Sequence, residues 1–221
     1  MKFMKKYRHF MIVPVYFIFY ILVFGYVEER SGIQIHILHT RLDAYIPFCE
    51  YFIIPYFLWF LYVAGAVVYF GLIRKNLPEY YRLIASLGIG MTLFLVISLV
   101  YPNGHTLRPY HFEHENIFVD MVRFLYSIDT PTNVLPSIHV FNSVAVAIAI
   151  ADSGAFRNRL RVVRASNVLA ILIVCATVFL KQHTVIDVIT ALILNVACYR
   201  LIYRPRYVFG RKPVPETGRN I

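Results

Sequence analysis

A chain of 221 residues that is 59% hydrophobic and only 15% charged falls outside the composition of a water-soluble domain. Its mean hydropathy of +0.61 agrees. The net charge of +10 does not signal a nucleic-acid binder, because basic and aromatic side chains are not interleaved along a polar surface. Cys49, Cys175 and Cys198 lie in or beside apolar stretches without metal-ligand spacing and read as small buried hydrophobes. The expected fold is all-α: one polytopic membrane domain, a bundle of six transmembrane helices over residues 1–203, followed by a basic tail at 204–221.

Six stretches have the length and apolarity of spans, with boundaries near Phe10–Tyr26, Tyr51–Leu72, Leu83–Val100, Pro136–Ala151, Val163–Leu180 and Thr184–Tyr203. The fourth is short. The first ends in Gly25-Tyr26-Val27-Glu28-Glu29 without a small-x-small cleavage site, so it reads as an uncleaved span. Between the first two spans, Ser31–Glu50 mixes Ile33, Ile35, Ile37, Leu38, Leu42, Tyr45 and Ile46 with polar residues. That mixture predicts an interfacial segment. Tyr101–Leu135 is a long polar loop, of the kind that tends to carry function.

Lys and Arg are distributed asymmetrically. They cluster before span one (Lys2, Lys5, Lys6, Arg8), between two and three (Arg74, Lys75, Arg82), between four and five (Arg157, Arg159, Arg161, Arg164) and after six. The opposite side holds only Arg30, Arg41, Arg108, Arg123 and Lys181, with most of the acids. The positive-inside rule then places both termini in the cytoplasm and the Tyr101–Leu135 loop outside, in the plasma membrane.

Three clusters fall on that outer side. The first is Tyr101-Pro102-Asn103-Gly104-His105-Thr106-Leu107-Arg108-Pro109. The second is Pro136-Ser137-Ile138-His139, where Pro136 suits a first helical turn, so Ser137 and His139 sit at an anion-favouring N-terminus. The third is Leu180–Val188, LKQHTVIDV, in which His183 and Asp187 at i, i+4 would share one helix face. An ionisable pair in an apolar run is a functional signal, although such a pair also serves simply to satisfy itself near a helix end. Arg108 can hold two phosphate oxygens in a fork. Two imidazoles can divide the work of nucleophile and acid near neutral pH.

The order Arg-Pro, Pro-Ser-x-His, His-x-x-x-Asp in a six-span chain resembles the type 2 phosphatidic acid phosphatase superfamily of metal-independent lipid phosphatases and phosphotransferases. The resemblance covers Tyr101–Asp187. It implies that His183 is the nucleophile that forms a phosphohistidine, that Asp187 orients it, that His139 is the general acid, and that Arg108 and Ser137 bind phosphate oxygens. It further implies a lipid phosphate substrate, no cofactor and no metal. Hydrolysis is the leading expectation. Transfer of a phosphorylated headgroup to a lipid alcohol is an alternative, as is a lipid-binding or flipping protein without catalysis.

This chain departs from the family pattern at several positions. Tyr101 stands where the first motif usually has Lys, Ile138 where the second has Gly, and Ala176-Thr177 where the third begins Ser-Arg. Lys181 and His105 could replace the missing charge in the phosphate cradle, with snorkelling to the interface as the equal alternative for Lys181. The bulky third residue of Pro-Ser-Ile-His, the Lys-Gln-His variant and the Leu42–Phe48 lead-in look closer to the branch that includes inositol phosphorylceramide synthases. Outside the motifs, Trp59 reads as ordinary span packing, Arg123 as a solvated loop charge, and His36, His39, His111 and His114 lack ligand spacing.

Overall fold

The computed structural model describes residues 8–74 and 76–204, so Lys2, Lys5, Lys6, Lys75 and all but the first residue of the basic tail lie outside the described residues. The chain is mostly helical, and among the described residues five helical stretches are long and apolar enough to cross a membrane: Arg8–Glu28, Glu50–Ile73, Leu77–Val100, Leu160–Phe179 and Val185–Tyr203. In these stretches lie α1 (Ile12–Glu28), α3 (Ile53–Val68, prolonged by a π-helical turn at Tyr69–Ile73), α4 (Leu77–Val100), α7 (Leu160–Phe179) and α8 (Val185–Cys198, prolonged by Tyr199–Tyr203). Large apolar side chains such as Leu22, Leu61 and Ile193 project from their outer faces without protein cover, as lipid-facing residues do.

The stretch expected as the fourth span is α6, Ile138–Asp152, a shorter apolar helix of 15 residues. It is the centre of the bundle, packed against α3, α4, α7 and α8. Its sequence explains the position: Ala145, Ala147 and Ala149 let neighbouring backbones approach, while Val140, Phe141 and Val146 fill the core with Tyr80, Leu83 and Leu87. Gly90 of α4 makes room for Phe141, since a Cβ at Gly90 would lie 2.1 Å from the Phe141 ring. A larger residue there would force the two helices apart.

Two boundaries differ from expectation for local reasons. Helix α4 begins at Leu77 rather than Leu83, because the Asn76 side chain caps it by accepting from the Glu79 N–H and Pro78 fits its first turn. The polar loop contains a helix, α5 (Ile117–Ile128), capped by Asn116, whose side chain accepts from the N–H groups of Phe118 and Val119. Val119, Val122 and Leu125 form its buried stripe. Arg123, expected as a solvated loop charge, lies on this helix and pairs with Glu115 and Asp120.

The Ser31–Glu50 segment folds as a short strand β1 (His36–Ile37) and a one-turn helix α2 (Arg41–Tyr45). Strand β1 pairs in parallel with β2 (Asn103–Gly104), and Gly104 also bridges Thr132. Three distant parts of the chain therefore meet at one end of the bundle. Gly104 is required there: an added Cβ would come within 2.7 Å of the Pro131 carbonyl oxygen.

Candidate active site

The third cluster does not form one continuous helix. Helix α7 stops at Phe179, and Lys181 adopts a left-handed backbone (φ 52°), after which the N–H groups of Gln182 and His183 both donate to the Thr177 carbonyl at 3.0 Å. Helix α8 starts only at Val185, with Thr184 as its cap. His183 thus precedes the helix, and its pairing with Asp187 does not arise from a shared helix face as expected. A capping box creates it instead: the Asp187 N–H donates to Thr184 Oγ1 at 3.3 Å, and the Thr184 N–H donates to Asp187 Oδ2 at 2.7 Å. That same Oδ2 lies 3.4 Å from His183 Nδ1. Cap and imidazole share one carboxylate, whose Oδ1 is buried without a partner.

The three clusters meet around this turn. His139 and His183 have ring centroids 5.9 Å apart. The Ser137 N–H donates to the Asp187 carbonyl at 3.3 Å, so the N-terminal ends of α6 and α8 lie side by side. Two helix N-termini in contact concentrate positive potential. The end of α8 is already matched by an anion, because Asp43 Oδ1 accepts from the Val185 N–H at 2.8 Å. Ser137 caps α6 through its own side chain, which accepts from the Val140 N–H at 3.3 Å.

From the first cluster, Arg108 reaches the same turn. It stacks on Tyr126 with 4.4 Å from its central carbon to the ring, and its Nη2–H donates to Gln182 Oε1 at 2.5 Å. Its Nε is buried without a partner. His105 Nδ1 accepts from the Leu107 N–H at 3.2 Å, which leaves Nε2–H to donate to the Gln182 carbonyl at 2.9 Å. Burial pushes its pKa down to about 4. His105 is therefore neutral near pH 7 and lends no charge to the site; it is a clamp on residue 182.

Two other candidates point elsewhere. Lys181 Nζ donates to the carbonyls of Asp43 (2.9 Å) and Ile46 (2.5 Å), which ties the turn to α2, and burial holds its pKa below the ordinary lysine range. Tyr101 ends α4 and stacks on His36, with centroids 4.4 Å apart. Neither contact aims the side chain at the two imidazoles. Arg108 is instead bonded to the turn that carries His183, through Gln182.

Several residues around the pair were not singled out from sequence. Asn103 accepts from the N–H groups of Val134 and Leu135 at 2.9 Å each, fixing the approach to Pro136-Ser137. Gln182 joins Arg108 and His105. Tyr56 and Trp59 flank His139, with centroid distances of 4.6 and 4.4 Å, so the span packing expected of Trp59 includes a ring of the candidate site. Asp129 accepts from the Tyr56 hydroxyl at 3.4 Å, and burial raises its carboxyl pKa against the opposing pull of His183 and Arg108. The Thr-x-x-Asp spacing at 40–43 and 184–187 was a legible signal for the paired capping boxes.

Four buried polar atoms here lack protein partners, Arg108 Nε, His139 Nδ1, Gln182 Nε2 and Asp187 Oδ1, and His183 Nδ1 has only its long 3.4 Å approach to Asp187 Oδ2. Such groups are costly unless something satisfies them, and their convergence marks a place for a polar ligand. Among the described residues, no three His, Cys, Asp or Glu side chains group closely enough to hold a metal ion. No family model, curated relative or solved structure matches the chain.

Proposed function

We propose that the chain is an integral membrane lipid phosphatase that works through a phosphohistidine. The observation that carries this reading is the pair of imidazoles 5.9 Å apart at the N-terminus of α6, with Arg108 bonded through Gln182 to the turn that holds His183. A phosphate between them answers the local chemistry: the guanidinium and the helix end take the non-bridging oxygens. His183, its Nδ1–H directed at Asp187, attacks phosphorus through the Nε2 lone pair as the P–O bond to the lipid breaks. His139, protonated once the anionic phosphate lies beside it, gives its proton to the departing alkoxide. It then takes one from a water molecule, which attacks the phosphohistidine and releases inorganic phosphate. Ser137 positions this step chiefly as the cap of α6. The expected setting is the plasma membrane, six spans with both termini cytoplasmic and the site near the outer face, as the basic residues argue.

The test is purified protein with labelled lipid phosphate, with and without a lipid alcohol acceptor. An acid-labile, base-stable adduct on His183 is expected, together with release of inorganic phosphate, both abolished in His183→Ala. Label appearing in the acceptor rather than as free phosphate converts the reading to transfer. An adduct that maps to His139, or full turnover in His183→Ala, refutes it.

A further inference from the structure

A cavity of about 960 Å³ lies between α1, α3 and α4, and it is lined almost entirely by apolar side chains. Its wall on α4 runs from Tyr81 to Leu93. At 1.5 Å per residue that is about 18 Å of helix, more than half of a hydrocarbon core about 30 Å thick. The shape suits an alkyl chain, not a compact ligand.

Two lining residues connect this cavity to the imidazole pair. Trp59 is in its wall and also lies against the His139 ring at 4.4 Å. Asn142 follows His139 by three residues on α6, so the two share a face, and it is only 2% exposed. Each carries an unpartnered buried polar atom, Nε1–H as a donor on Trp59 and Oδ1 as an acceptor on Asn142. An acceptor and a donor left unsatisfied in the wall of an apolar chamber call for a group that is both. A hydroxyl is such a group.

We propose that this cavity receives the alkyl chain of the substrate and that the substrate carries a hydroxyl close to its phosphate, held by Asn142 and Trp59. The placement of the hydroxyl rests on the reading of His139 and His183 as the phosphoryl site. Three helical residues separate Asn142 from His139, about 4.5 Å of rise. That distance puts the hydroxyl on a carbon adjacent to the phosphate-bearing one or the next along. Monoacylglycerol phosphates and sphingoid phosphates share this chemistry. Phosphatidates with two acyl chains offer only ester acceptors there and prenyl phosphates only hydrocarbon, so both leave Asn142 unsatisfied.

Occupancy can be read without turnover, because Trp59 is the single tryptophan of the chain. A lipid phosphate with a brominated chain should quench Trp59 emission saturably in detergent, in wild type and in His183→Ala alike. Gly88 supplies the blocking variant: it lines the chamber and an added Cβ there meets no atom within 4 Å, so Gly88→Phe is chosen to place its ring in the chamber. It should weaken the quench and raise KM for a long-chain substrate about tenfold more than for a short-chain homologue. For the hydroxyl, a monoacylglycerol phosphate is compared with its 2-deoxy analogue, and a sphingoid phosphate with its 3-deoxy analogue. Wild type should favour the hydroxylated member by about tenfold in kcat/KM, the scale of one hydrogen bond. Asn142→Ala should level the two. The pair that shows the preference identifies the backbone. Quenching insensitive to Gly88→Phe, equal effects on both chain lengths, or a preference that survives Asn142→Ala overturns the proposal. Saturable, Gly88-dependent quenching without turnover of any lipid phosphate upholds the chamber and rejects the phosphatase.

Discussion

His105 offers a prediction that needs no substrate. Its ring is a neutral bridge: Nε2–H to the Gln182 carbonyl at 2.9 Å, Nδ1 from the Leu107 N–H at 3.2 Å. Protonation would turn the second contact from acceptor into a repelling donor, in a buried site beside His183 and Arg108, with the Gln182 carbonyl and Asp187 pulling the other way. The pKa falls from 6.5 to about 4 on folding. At about 1.4 kcal/mol per pKa unit this amounts to up to about 3 kcal/mol. Between these two values the unfolded chain binds the proton and the folded chain does not. The contribution is therefore complete above pH 6.5 and is lost as pH falls through about 4. Unfolding of the purified protein in detergent, followed from pH about 7 to about 4.5, should show this loss in wild type and a smaller one in His105→Gln, whose side chain does not titrate. At neutral pH, His105→Leu should cost about 1–3 kcal/mol by orphaning the buried Gln182 carbonyl. An acid slope in His105→Gln equal to that of wild type would show that the ring is not the neutral clamp described.

Asp43→Ala removes the carboxylate that accepts from the Val185 N–H and completes the box around α2. If phosphoryl transfer occurs at His183, kcat should fall by about tenfold or more while KM changes little, as expected when a reacting group is misplaced. Equal changes in both would show instead that the segment contributes to binding. Lys181→Ala should slow turnover by less than about tenfold, because its ammonium is held by the Asp43 and Ile46 carbonyls; a loss of about 10²-fold would show that it reaches the phosphate after all. Gly90→Leu should destabilise the folded protein by about 1–3 kcal/mol through its clash with Phe141, seen as a lowered unfolding midpoint.

Hydropathy located the long helices because apolarity over about 20 residues is a direct physical requirement of lipid. It was least reliable for α6, since a helix surrounded by other helices needs small residues and close packing more than length. The motifs located the imidazoles, but their spacing misled about the cause of the His183–Asp187 contact. An i, i+4 interval looks the same inside a helix and across its start. Only the Thr184 cap and the left-handed turn at Lys181 distinguish them. The destinations of Lys181 and Tyr101 were not legible, because they depend on segments 138 and 65 residues away, at Asp43 and His36. Trp59 and Asn142 sit in runs that read as plain span, and their polar atoms acquire meaning only beside His139.

The shortness of α6 has a consequence for the loop that leads into it. Fifteen residues of helix rise about 22 Å, less than a hydrocarbon core of about 30 Å. The phenyl ring of Phe141 lies against Gly90, from which α4 continues to Val100, about 15 Å farther. The chain just before α6 therefore runs as irregular backbone beside other helices, at a depth where lipid would leave its polar groups without partners. Asn103 takes over the work of the missing helical turns: its Oδ1 accepts from Val134 and Leu135, and its carbonyl accepts from Asn133. One amide side chain thus substitutes for a stretch of helical hydrogen bonding. Asn103→Ala should leave the Val134 and Leu135 N–H groups without an acceptor, for the same reason that a membrane excludes a bare loop.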